Sequence, residues 1–272
     1  MTRRLLTLAA LVLLASTGHA GPGETCQWDG LRKVVWLDDI EQGGVSMAYP
    51  LPADLVSRSL APLLGQADRL VIDGRTNYRN WADASQARLQ AQIIVRPRLL
   101  SGGFRPAFTL LGAEFGGKTA ARLQVALFDN LSQTVLRTLD FGGGRLVVPA
   151  ILKNTQANLN DQATDIVEGL MEDVAKAIAE ELDCMPYAAR VTVGHANELE
   201  IAGGGRHNIR PRMSFSILAA SERPYGPDPS APINYRRVAD VVVTSVSPGA
   251  SYAQPSIPIG LAHGHLIATP LR

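Results

Sequence analysis

The chain has 272 residues, enough for one large domain or two small ones and far above the size at which a core is hard to bury. Lys plus Arg number 26 and Asp plus Glu 25, a formal net charge of +1 that excludes the basic footprint of a nucleic-acid binder and an acidic tail. Apolar residues make up 46% and charged ones 19%, which excludes wholesale disorder, and two cysteines are too few for a disulfide scaffold or a four-cysteine zinc site.

Arg3 and Arg4 form a basic start, residues 5–14 an almost unbroken apolar run, and Gly18 and Ala20 occupy the −3 and −1 positions of a cleavage site. This is the layout of a secretory signal peptide over residues 1–20. The run is too short to span roughly 30 Å of hydrocarbon, and no later run is longer, so no transmembrane segment is expected. Lipid attachment is not expected either, because Cys26 lies six residues beyond Ala20. Cleavage takes two arginines and no acid, leaving 252 residues with a formal charge of −1. In an oxidising compartment Cys26 and Cys184 are expected to pair as a disulfide, the alternative being two free thiols. Closing so long a loop is worth about 4–5 kcal/mol at most in the chain-entropy view.

Residues 33–37 (Lys-Val-Val-Trp-Leu) predict a central strand, apolar on both faces and closed by Asp38 and Asp39. A helix is expected over about 53–65, with Pro62 as a kink or early end. A second strand follows at 69–72 and a weak helix within 77–92. A third strand covers 93–100, where Pro97 implies an edge or a bulge. Residues 122–128 and 135–141 alternate in polarity about an Asp129-Asn130 turn and read as a hairpin. Residues 160–182 form the strongest local signal. Ile166, Val167, Leu170, Val174, Ile178 and Leu182 repeat at three and four residues opposite an acidic face, with Asn160 or Asp161 as N-cap. Gly169 costs that helix about 1 kcal/mol relative to Ala.

After Pro186 the helical period disappears. Short segments at 190–194, 198–202, 213–218, 238–246 and 265–269 read as five strands of a small antiparallel barrel or sandwich. Residues 221–232 carry Pro224, Pro227, Pro229 and Pro232 and are expected to be an exposed loop.

Catalytic motifs are absent: there is no Gly-x-Ser-x-Gly elbow, His-Glu-x-x-His or Walker-type loop. The runs Gly142–Gly144 and Gly203–Gly205 are expected in turns. His263 and His265 would share a face if on one strand and could hold a metal, with His207 as the sole outside candidate. Asp38 and Asp39 stand at a strand's carboxyl end, where α/β proteins place sites, but a turn or cap role is favoured. Arg96, Arg98 and Arg105 form a conceivable basic patch, with solvated strand arginines the plainer reading. No catalytic, cofactor or metal residue is assigned on these signals.

Several strings together resemble the flagellar assembly protein T family. They are Lys33 to Leu37, Leu51-Pro52 with the first helix, Leu89 to Val95, the long helix, and the junction Asp183-Cys184-Met185-Pro186-Tyr187. The C-terminal strings are Glu198 to Gly205 and Ile209 to Ile217. The resemblance implies an α+β fold: a TolB-N-like mixed sheet covered by helices over 26–184, then a small antiparallel β-barrel or sandwich over 187–272. It also implies a periplasmic, non-enzymatic assembly protein of the flagellar basal body, part of an outer ring around the periplasmic and outer-membrane rings. Its partners would be basal-body ring proteins, with self-association in a ring and no nucleic acid. Family members carry an additional N-terminal domain, which this chain is expected to lack. The alternatives are an adaptor or binding module of another envelope machine, of TolB-N or curli-secretion type, and an envelope hydrolase.

Overall fold

The computed structural model describes residues 29–41, 55–110, 113–147, 156–183, 185–194, 198–220, 235–255 and 265–271. Cys26, Cys184, His263 and the 221–232 loop lie outside them. The fold is α+β: a helix-covered mixed sheet followed by a closed antiparallel barrel.

The sheet has the order β2-β1-β3-β4-β5. Strand β1 (Lys33–Leu37) lies between β2 (Leu70–Gly74) and β3 (Ile93–Leu110) and runs parallel to both. Strands β4 (Ala113–Asp129) and β5 (Thr134–Val147) continue the sheet antiparallel. The chain therefore crosses from one side of β1 to the other after β2, and successive helices fall on opposite faces. Helices α1 (Leu55–Gly65) and α3 (Gln156–Asp183) cover one face. There Leu60, Leu64, Val167, Met171, Val174 and Ile178 pack on Val35, Val95, Leu123 and Val125. Each fully buried aliphatic contributes roughly 1.5–3 kcal/mol. Helix α2 (Trp81–Gln90) lies on the other face, where Ala84 packs with Trp36, Ala91 and Ile94.

Three expectations for this half are corrected. First, β3 does not end near residue 100; its pairing with β4 runs on to Leu110 opposite Ala113. A bulge at Leu99/Ser101 absorbs the irregularity, and Gly102, Gly103 and Pro106 stay in the strand. Pro97 accepts from the Glu41 N–H (2.9 Å), and its missing N–H falls in the gap between the end of β1 and the Glu41 bridge. Second, Gly142–Gly144 are not in a turn but inside β5, opposite Arg122, Ala121 and Ala120. A Cβ on Gly143 would stand 3.1 Å from Leu170 and 3.4 Å from Ile166, so the bare backbone lets α3 approach the sheet. Third, α3 begins at Gln156, which puts Asn160 and Asp161 inside it rather than at its cap. Pro62 does not end α1; it sits on the exposed side, where the carbonyl it frees can be hydrated.

Gly169 is exposed on α3, and a Cβ added there would meet nothing within 4 Å. Gly169→Ala is expected to raise stability by about 1 kcal/mol, read from the urea midpoint; no change or a loss would contradict the open environment.

Six strands of the described residues close the barrel in the order β10-β7-β6-β11-β8-β9, where five were expected. They are β6 (Ala189–Val193), β7 (Leu199–Ile201), β8 (Ser214–Ala220), β9 (Tyr235–Val246), β10 (Ser251–Pro255) and β11 (Leu266–Pro270). The unexpected strand is β10. Its inward residues are Ser251, Ala253 and Pro255, so it lacks an apolar alternation. Phe215, Ile217, Val241, Leu199 and Tyr187 fill the barrel, and Leu31, from before the sheet, belongs to the same core.

Candidate functional site

Two places gather polar side chains. The first is a cleft of about 140 Å³ at the carboxyl ends of β1 and β2, beside α2. It lies where the strand order reverses about β1, the point at which open α/β sheets commonly bind ligands. Trp36, Leu37, Asp38, Asp39, Arg75, Trp81, Ser85 and Arg88 line it around a floor at Ala84. Asp38 does not act as a cap or turn residue. Its carboxylate accepts two hydrogen bonds from Arg88, both 2.8 Å, and one from the Trp36 indole at 2.9 Å. That bidentate pairing raises the Arg88 pKa further. Asp39 is exposed on the rim.

The Asn80 side chain accepts from the Asp83 N–H at 2.8 Å, capping α2 and fixing Trp81 as its first residue. Trp81 is 72% exposed, with the Arg75 guanidinium 5.0 Å from its ring centre. Behind them Tyr78 stacks at a tilt on Trp36 and donates to Asp73. Burial, followed by that Asp73 hydrogen bond, pushes the Tyr78 pKa to about 12.

The second place is the junction between sheet and barrel. The β4–β5 turn points its Asn130 and Leu131 carbonyls at the barrel, where Arg190 donates to the first (3.0 Å) and Tyr235 to the second (2.7 Å). Gln92, fully buried, donates to the Pro186 carbonyl at 2.8 Å and accepts from the Ala188 N–H at 3.2 Å. His265 sits here, its Nδ1 3.4 Å from Arg190. Burial and then the Arg190 charge lower its pKa.

The residues considered for metal binding are thus placed apart in role. His265 serves the junction, and His263 lies outside the described residues. His207 is buried, and its Nδ1 accepts from the Gly204 N–H at 2.8 Å. Among the described residues, no group of three or more His, Cys, Asp or Glu could hold a metal ion. Arg96 pairs with Asp38 and lies over the Phe128 ring, and Arg98 faces Glu41, so these two are individually engaged. The side chain of Arg105 lies outside the described set. Sequence reasoning placed Asp38 and Asp39 at a strand's carboxyl end but favoured a turn or cap role, and so missed both the cleft that they line and the junction. The strand end and the reversal of strand order about β1 are the signals for the cleft, and the junction is made largely by backbone carbonyls.

Burial, then the Arg206 charge, holds the His207 pKa down at about 4, below the ordinary 6.5. The unfolded chain therefore takes up the proton first. Stability is full above about pH 6.5, falls as the pH drops toward about 4, and changes no further below that on account of this group. Urea denaturation of the wild type against His207→Gln should show the slope between these pH values weakened in the variant; equal slopes would contradict the assignment.

No helix among the described residues is long and apolar enough to cross a membrane. No protein-family model and no curated protein matches the chain. Solved structures similar to it include the hypothetical protein CT253 from Chlamydia trachomatis, 12% identical with a TM-score of 0.37 over 57% of this chain and 98% of that one. Protein XCC0632 from Xanthomonas campestris is 7% identical, with a TM-score of 0.37 over 59% and 89%. Lipoprotein GNA1162 from Neisseria meningitidis is 10% identical, with a TM-score of 0.31 over 55% and 97%. Likenesses at this level assign no function.

Proposed function

We propose that the chain is an exported, non-enzymatic assembly protein of the cell envelope, working in the periplasm as a component of the flagellar basal body. The observation that carries the reading is the junction: Asn130, Leu131, Gln92, Arg190 and Tyr235 fasten sheet to barrel by hydrogen bonds. Such fastening suits a scaffold that presents two surfaces in a set relation to ring neighbours. The signal-peptide layout of residues 1–20 and the sheet-then-barrel order of the resembled family support it. Deletion of the gene in its source organism should give poorly motile cells whose basal bodies lack an outer ring feature in electron micrographs. Motile cells with intact basal bodies would overturn the reading.

The same proposal includes a Cys26–Cys184 disulfide. In its support, residues three positions past each cysteine meet, the Tyr187 N–H donating to the Asp29 carboxylate at 2.9 Å. Non-reducing peptide mass mapping of the exported protein should recover the linked pair; two alkylatable thiols would refute it.

A further inference from the structure

We propose that the cleft beside α2 is a carbohydrate subsite, which takes one pyranose ring of a glycan chain against Trp81. The inference does not depend on the flagellar reading.

The first observation is the placement of Trp81. A tryptophan left 72% exposed forgoes most of the burial that usually stabilises its ring. This one is not on a loose segment, for the Asn80 cap holds it at the first turn of α2. The Arg75 guanidinium lies over one face of the ring, 5.0 Å from its centre, and the residue still keeps 72% of its surface exposed. The second observation is the charge of the walls. Asp38 and Asp39 are balanced by Arg75 and Arg88, so the cleft selects neither an anion nor a cation. Asp38 is already committed to Arg88 and Trp36, which keeps the pair set as a fixed array of donors and acceptors. The third is the mixture of surfaces: an aromatic wall, an apolar floor at Ala84 and Trp36, and polar groups at Asp39, Ser85 and Arg88 around the rim.

A pyranose has the matching chemistry. One face of the ring carries axial C–H bonds that lie on an aromatic plane, and its edge carries adjacent hydroxyls that both donate and accept. A neutral polyol with an apolar face fits a cleft of balanced charge better than a phosphate, a carboxylate or a flat hydrophobe does. Size agrees with a single ring, not with a longer buried segment, so a chain would run across the cleft and leave one residue in it.

The test uses the purified mature protein and two glycan sources. One arm is co-sedimentation with peptidoglycan sacculi. The other is tryptophan-fluorescence titration with lipopolysaccharide core oligosaccharide. Saturable binding in either arm is expected, and the arm that responds identifies the source. Trp81→Ala should weaken it roughly tenfold, the effect of one lost aromatic contact. Ser85→Leu, which fills the cleft from the exposed side of α2 without touching the core, should weaken it as well. Leu89→Ala, on the same exposed helix face but outside the cleft, should bind as wild type; circular dichroism checks that all three remain folded. Absence of saturable binding in both arms overturns the proposal. So does undiminished binding by Trp81→Ala, or an equal loss in Leu89→Ala.

Discussion

Gly204→Ala should destabilise the protein by about 3 kcal/mol or more, among the largest effects of any single methyl in the molecule. A Cβ there would stand 2.1 Å from the Ser247 carbonyl oxygen and 2.7 and 2.8 Å from the Ala250 backbone. All three are backbone atoms of the turn joining β9 to β10, so no rotamer change relieves the clash. Either the turn opens, losing the Gly205-to-Ser247 and Ser247-to-Ala250 hydrogen bonds, or Gly204 moves, pulling its N–H off the His207 imidazole that accepts it. Gly205→Ala is the control. The nearest neighbour of its Cβ is 3.8 Å away, so its cost should stay near the roughly 0.5 kcal/mol of an ordinary surface change. Urea denaturation at neutral pH reads both. Equal effects in the two variants would show that chain entropy, and not the clash, decides.

Asn130→Ala should cost about 3 kcal/mol, as judged by the same measurement. The Asn130 side chain is 4% exposed, and its amide donates to the Arg88, Leu89 and Ala91 carbonyls at 3.0, 3.1 and 2.9 Å. These are groups that the end of α2 leaves without helical partners. Alanine removes their donor in a place water does not readily reach. Asn130→Asp, nearly the same shape, should be at least as damaging, because it turns a donor into a carboxylate facing carbonyl oxygens. If Asp were tolerated while Ala was not, volume and not hydrogen bonding would be the cause.

Strand β1 and helix α3 are legible in the sequence because their burial is complete and periodic. Val35, Trp36 and Leu37 are apolar on both faces of a covered strand, and Val167 through Leu182 repeat with the turn of a helix. The hairpin of β4 and β5 is legible for the same reason, Leu123, Val125 and Leu127 alternating with polar neighbours. What escapes is structure made by backbone or by small side chains. Strand β10 turns Ser251, Ala253 and Pro255 inward, and no hydropathy pattern marks that. The run of glycines 142 to 144 reads as a turn because the role of Gly143 depends on how near α3 comes, a tertiary fact. Asn130 and Gln92 look like ordinary loop polars; their partners are main-chain groups about forty and ninety-four positions away. The cleft was hidden differently. Trp81 lies on a helix with little amphipathic pattern, and its neighbours arrive from β1 and from the segment after β2, brought together only by the reversal in strand order.

Leu31 lies in the barrel core, although the whole sheet separates it in the chain from the barrel strands. Topologically, the sheet and its three helices are an insertion, leaving the barrel at Leu31 and rejoining it at Tyr187, where Asp29 binds both the Leu31 and the Tyr187 N–H. Cutting the chain near Pro186 would therefore not yield a finished barrel but one missing a plug of its own interior. Leu31 reaches the barrel only with the two ends of the insertion held together, which links the stability of the two halves.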